Sequence, residues 1–117
     1  MFTRLKAATF YVSDIVKAKH FYTQVLDFKI VEDQGQYVTL QIGDGTKFLL
    51  ALNSQHRSFQ KVGCQTISVS SDDIKRDYQK LKESGITIFD ELKTYPWGEY
   101  FAFEDPDGNH IDVTEEK

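Results

Sequence analysis

A single cysteine, Cys64, leaves this chain of 117 residues without an intrachain disulfide or a cysteine-rich zinc site. Cys64 follows Gly63 at the start of a strand pattern, where a lone thiol reads as a small packing residue. Basic clusters are absent too. The 14 Lys and Arg are outnumbered by 18 Asp and Glu, for a net charge of −4, so the electrostatic footprint of a nucleic-acid binder is missing. No apolar run is long enough for a signal peptide or a membrane span, and Met1 to Lys6 leads straight into a strand pattern. The expectation is a cytoplasmic protein that binds neither nucleic acid nor membrane.

What is present is ordinary globular material, 40% hydrophobic and 27% charged, which argues against disorder. The length suits one domain, or two small halves sharing a core. Ala7 to Val12 alternates Ala8, Phe10 and Val12 with Ala7, Thr9 and Tyr11, the period of a strand with dissimilar faces. Ser13-Asp14 then supplies an N-cap, and Ile15, Ala18, Phe21, Tyr22 and Val25 recur at three- and four-residue steps, which predicts a helix ending near Asp27. Lys29 to Glu32, Gln36 to Ile42 and Lys47 to Asn53 read as strands, the last two joined through Gly43-Asp44-Gly45. A polar, aperiodic stretch from Gln55 to Gly63 follows, and then the order repeats. Thr66 to Ser70 is a strand, Asp72 or Asp73 caps a helix carrying Ile74, Tyr78 and Leu81, and Ser84-Gly85 closes it. Ile86 to Phe89, Tyr100 to Phe103 and His110 to Thr114 complete the second half.

The chemistry concentrates between Trp97 and Asp112. Asp105-Pro106-Asp107-Gly108-Asn109 is dense in turn formers: Pro106 presets one φ, Gly108 or Asn109 takes positive φ, and Asp105 bonds forward to the turn backbone. The turn so read needs no help from distant residues. Alternation beyond it places Ile111 and Val113 on one face and His110, Asp112 and Thr114 on the other. The two cap residues Asp14 and Asp73 stand 59 residues apart, and the two hairpin turns 63 apart, consistent with a duplicated β-α-β-β-β unit. Each half then has a sheet with its apolar face under its helix, and the opposite faces meet around a shared cavity.

Trp97-Gly98, the aromatic strand, Asp105-Pro106-Asp107-Gly108-Asn109 and Ile111-Asp112-Val113 resemble the end of the vicinal oxygen chelate superfamily, which includes glyoxalase I, extradiol dioxygenases and bleomycin-resistance proteins. The resemblance implies an α+β fold over nearly the whole chain: two βαβββ modules forming a cupped, incompletely closed eight-stranded sheet with helices on the outer face. A single domain over 1–117 is drawn with module one 1–55, linker 56–63 and module two 64–117. In metal-dependent relatives four strand positions supply His, Gln or Glu to a divalent ion. Carried over by caps and hairpins, they fall on Ala7, Leu49, Thr66 and Asp112, where only Asp112 is a convincing ligand; a one-residue slip would put Gln65 in place of Thr66. The expectation is therefore no metal and no cofactor.

The residues expected to line the cavity and hold a ligand are Thr9, Tyr11, Tyr37, Thr66, Trp97, Tyr100, His110 and Asp112. Asp112 is the best candidate for a general base or an anchor for a cationic group, and Trp97, Tyr11, Tyr37 and Tyr100 give flat surfaces for stacking, though aromatics more often serve only as core or interface. His110 reads as a hydrogen-bonding cavity residue before a metal ligand, His20 and His56 as surface residues, and Glu99 and Glu104 as solvent-facing. The leading expectation is a protein that sequesters an aromatic or cationic small molecule, like the metal-free bleomycin-resistance branch, as a homodimer. The rival is a divergent lyase, isomerase or dioxygenase using His110 and Asp112.

Overall fold

The computed structural model describes residues 1–43 and 49–116. Two compact units, Met1–Gly63 and Cys64–Lys117, each carry a four-stranded mixed sheet and one α-helix.

In the first unit the strands are β1 (Ala7–Tyr11), β2 (Lys29–Asp33), β3 (Tyr37–Gln41) and β4 (Leu49–Asn53), in sheet order β1-β4-β3-β2. β1 pairs with β4 in parallel, and the other pairs are antiparallel. The register puts Ala8, Phe10, Val38, Leu40, Leu50 and Leu52 on one face, and helix α1 (Ile15–His20) packs against β3 and β4 on it. Asp14 caps this helix, its Oδ1 accepting from the backbone N–H groups of Val16 and Lys17 at 3.0 and 3.1 Å. The helix then widens into a π turn at Phe21–Val25, close to the end expected near Asp27, and Asp27 itself takes the left-handed region (φ 59°). A π turn lets the consecutive residues Phe21 and Tyr22 both reach the core, where Tyr22 packs against Phe10 and Phe28. Full burial of such a ring is worth about 2–3 kcal/mol. Residues 44–48, with the Asp44-Gly45 turn and the start of the strand expected from Lys47, lie outside the described residues.

The second unit repeats the order as β5-β8-β7-β6, with strands β5 (Thr66–Ser71), β6 (Thr87–Tyr95), β7 (Gly98–Glu104) and β8 (His110–Glu115) and helix α2 (Ile74–Glu83). Asp73 is the helix cap, accepting from Arg76 N–H at 3.1 Å. Gly85, at φ 76°, follows the last turn as the glycine stop predicted there. Ile74 and Leu81 are buried, and Tyr78 lays its ring edge-on to Phe101 at 5.2 Å. Phe101, Phe103, Ile111 and Val113 form the face beneath α2.

Four expectations are corrected. β6 does not stop at Phe89 but runs to Tyr95, pairing Tyr95 with Gly98 across Pro96-Trp97; its exposed edge and two register shifts interrupt the alternation by which a strand is read. Glu99 is not solvent-facing: its side chain is 18% exposed and stands 3.7 Å from Lys75 of α2, because it lies on the same side of β7 as Phe101. Cys64 is exposed rather than packed, being placed before β5 begins. The Asp105 turn forms as read, with Gly108 at φ 95° and Asp105 Oδ1 accepting from Asp107 N–H and Asn109 N–H. It also has a distant tie, since Asn109 Oδ1 accepts from Gln65 N–H at 3.2 Å.

Candidate functional site

The face of the second sheet turned away from α2 is built in three rows, each crossing β5, β8, β7 and β6. The first is Thr66, His110, Glu104 and Thr87; the second Ser68, Asp112, Ala102 and Asp90; the third Ser70, Thr114, Tyr100 and Lys93. Adjacent strands lie about 4.8 Å apart, so the backbones of Asp90 and Asp112 are separated by roughly 10 Å. Between them is only the methyl group of Ala102, which is fully buried. Two carboxylates thus flank Ala102 on one face of the sheet.

Tyr100, two residues before Ala102, donates its hydroxyl to Asp90 Oδ2 at 3.2 Å. Its pKa is raised above the ordinary 10.0, first by burial, then by the hydrogen bond and charge of Asp90, and further by the charges of Asp112 and Tyr95. The phenol therefore stays a neutral donor. Tyr100 also meets the edges of Tyr95 and Trp97, both at 6.2 Å, and those two rings stack with planes within 2°. Trp97 is half exposed at the tip of the β6–β7 turn.

His110 opens β8 because the Asp105 turn delivers it there, its backbone N–H donating to Gln65 O at 2.8 Å. The register shift between Ile88 and Asp90 brings Phe89 to the same side as Asp90, with its ring 4.9 Å from that of His110. Beneath it the Nε2 atom of His110 is withdrawn from solvent and has no hydrogen-bond partner among the described residues.

On the first unit the corresponding face carries Ala7, Thr9 and Tyr11 from β1, Leu49, Ala51 and Asn53 from β4, and Tyr37, Thr39 and Gln41 from β3. Tyr11 and Tyr37 stand on either side of Asn53. The Tyr11 hydroxyl accepts from Gln60 Nε2 at 2.7 Å, and His56 meets its ring edge-on at 6.4 Å, so residues 56–63 fold back over this strand. His20 and His56 are both exposed.

Of the expected site residues, Trp97 and Tyr100 touch, Asp112 lies one row from Tyr100, and Thr66 faces His110; Thr9, Tyr11 and Tyr37 share the face of the first sheet. Asp90, Phe89, Tyr95 and Ala102 were not anticipated. Asp90, Phe89 and Tyr95 belong to the stretch of β6 whose signal was the turn Tyr95-Pro96-Trp97-Gly98, with proline and glycine at ordinary turn positions.

Residues 4–113 match the Glyoxalase/Bleomycin resistance protein/Dioxygenase superfamily. The chain belongs to this superfamily. Among solved structures it is similar to TnmS3, an antibiotic binding protein from Streptomyces sp. CB03234, with TM-score 0.87 and 27% identity over 99% of this chain and 98% of that one. Among curated proteins it is 26% identical to the uncharacterized protein YetH of Bacillus subtilis (strain 168), over 93% of this chain and 95% of the relative. It is 31% identical over 85 residues to Glyoxalase 1 of Caenorhabditis elegans, spanning 71% of this chain and 30% of that protein's length.

The positions that metal-dependent members use do not fit a metal centre here. Ala7 faces Leu49 across the β1–β4 pair, and neither side chain carries a donor atom. In the second unit the partner of Thr66 is His110, while Asp112 faces Ser68. This corrects the hairpin-based equivalence of Leu49 with Asp112: by strand register the counterpart of Leu49 is His110 and that of Asp112 is Ala51. The two hairpins differ in length, so an offset measured at the turns misplaces the strands. Among the described residues no three His, Cys, Asp or Glu side chains are grouped to hold an ion.

Proposed function

We propose that this protein binds and sequesters an aromatic or cationic small molecule on the polar faces of its sheets. The observation that carries the reading is the pair Asp90 and Asp112, which stand on either side of buried Ala102 on one sheet face, with the Tyr100 hydroxyl bonded to Asp90. Such a surface orients a polar group of a ligand through charge-assisted hydrogen bonds, while Tyr95, Trp97 and Tyr100 offer ring faces and edges to its flat part. The likeness to an antibiotic binding protein along nearly the full length supports the same reading. We further expect a cytoplasmic homodimer, which light scattering and fractionation test.

Sequestration requires tight binding without turnover. A thermal-shift panel of planar aromatic cations (proflavine), aromatic anions (anthraquinone-2-sulfonate) and thiols (glutathione) tests it. A ligand held only by the folded state stabilises by about 2.7 kcal/mol at a hundred times its Kd, a Tm rise of about 10 °C for a chain of this size. A flat response across the panel refutes the reading. The enzyme reading draws on the identity shared with Glyoxalase 1 and on His110 and Asp112 projecting from one face of β8. Elemental analysis of protein purified without chelator discriminates: a stoichiometric transition metal favours the enzyme.

A further inference from the structure

A cleft of about 420 Å³ opens at the strand ends of the second unit, lined by Ser70, Trp97, Glu99, Thr114, Glu115 and Glu116 together with Gly98. Its volume is that of a small-ligand pocket. It lies beyond the Asp90 and Asp112 pair, at the far end of β5 and β8, and the described residues that line it belong to one unit.

The walls are chemically one-sided. Three carboxylates line the cleft, and Glu99 Oε1 stands 3.7 Å from Lys75, whose side chain is 76% exposed. An exposed lysine at that distance compensates a carboxylate poorly. The second oxygen, Oε2, is shielded from solvent and has no hydrogen-bond donor among the described residues. With Glu115 and Glu116 the lining carries three carboxylates and, among the described residues, no basic side chain of its own, so the cleft presents net negative charge. The half-exposed indole of Trp97 lines the same cleft and presents a π surface. Carboxylates together with an indole face are complementary to an organic cation. The hydroxyl groups of Ser70 and Thr114 add acceptors for N–H donors.

We infer that this cleft takes the positively charged end of the ligand, and that the charged group bears N–H donors, as a primary ammonium or guanidinium does, rather than being quaternary. The inference rests on the small-molecule reading above and adds the charge of the ligand and the place where that charge sits. Anions are repelled by Glu99, Glu115 and Glu116, and neutral analogues lack the charge attraction, whatever hydrogen bonds they make.

Trp97 is the sole tryptophan, so its emission reports on this cleft directly. The full chain is titrated with 2-phenylethylammonium, its N,N,N-trimethyl analogue, the neutral 2-phenylethanol and the anion 3-phenylpropanoate. The expected result is a saturable change in emission with the primary ammonium at an affinity about tenfold above the alcohol, weaker binding of the trimethyl analogue, and no binding of the anion. Added salt should weaken the ammonium alone. Glu99→Gln should lower ammonium affinity, and so should Glu115→Gln with Glu116→Gln, two exposed substitutions that do not disturb the core. Equal affinities for ammonium and alcohol, or a signal that survives both sets of substitutions, overturn the inference. If the panel still yields stabilising ligands while the ammonium series is silent, only this inference fails; if the panel is silent as well, the binding reading fails with it.

Discussion

Replacing Asn109 should do more damage than its place in a turn suggests. Its side chain is fully buried. Nδ2 donates to Asp105 Oδ2 at 2.9 Å, and Oδ1 accepts from Gln65 N–H at 3.2 Å, tying the Asp105 turn to the start of β5. Asn109→Ala removes a buried hydrogen bond to the Asp105 carboxylate and a partly buried one to the Gln65 N–H, a cost of about 2–4 kcal/mol. For a chain of this size that corresponds to a Tm fall of about 10 °C. Asn109→Asp is the sharper probe. It keeps the acceptor for Gln65 but replaces the Nδ2 donor with a carboxylate oxygen facing Asp105, so like charges meet where a hydrogen bond stood. It should be no more stable than the alanine variant. Chemical denaturation with an unchanged slope gives the difference, and the exchange rate of the His110 amide, bonded to Gln65 O at 2.8 Å, reports whether the mouth of β8 has loosened. An alanine variant within about 0.5 kcal/mol of the parent, or an aspartate variant more stable than the alanine, would refute the account.

Tyr100 makes stability depend on pH at the alkaline end. Its folded pKa is raised above 10.0, so the folded state holds a proton that the unfolded state releases; stability is complete below about pH 10 and declines as pH rises through the folded value. Tyr100→Phe should remove that decline, and a spectroscopic titration in which Asp90→Asn leaves the raised tyrosine unmoved would contradict the part assigned to Asp90, which comes second to burial. Asp112→Asn should weaken binding of whichever panel compound stabilises the protein while leaving its unliganded Tm nearly unchanged, since Asp112 is only half-buried; unaltered affinity would remove Asp112 from the site. Asp14→Ala deletes the acceptor for Val16 and Lys17 N–H and should cost about 1 kcal/mol, read as a shift in the denaturation midpoint.

The strands with clean alternation were legible from the residues: Ala7 to Val12 and His110 to Thr114 each separate apolar from polar positions, and the pairing seen at β1–β4 and β5–β8 respects that separation. The caps were legible for the same reason, since Asp14 and Asp73 act on backbone groups two or three residues away. Asp90 was not, because it lies beyond a register shift on an edge strand, where two successive residues face the same side. Glu99 misled as a charged residue near a turn, where nothing local announces the helix that covers it.

The sequence by itself therefore determined the duplicated order of strands and helix, the face that β1, β3, β5 and β8 turn to their helices, and the lack of donor atoms at Ala7 and Leu49, all of which follow from period, local hydrogen bonding and side-chain chemistry. Only the tertiary structure decided that Asp90 and Asp112 flank Ala102, that Tyr100 reaches Asp90, that Leu49 corresponds to His110, and that three glutamates line a cleft with Trp97. Those relations depend on cross-strand register, which is set by the lengths of loops and by bulges, and a shift of one residue would turn every side chain of a strand to the opposite face.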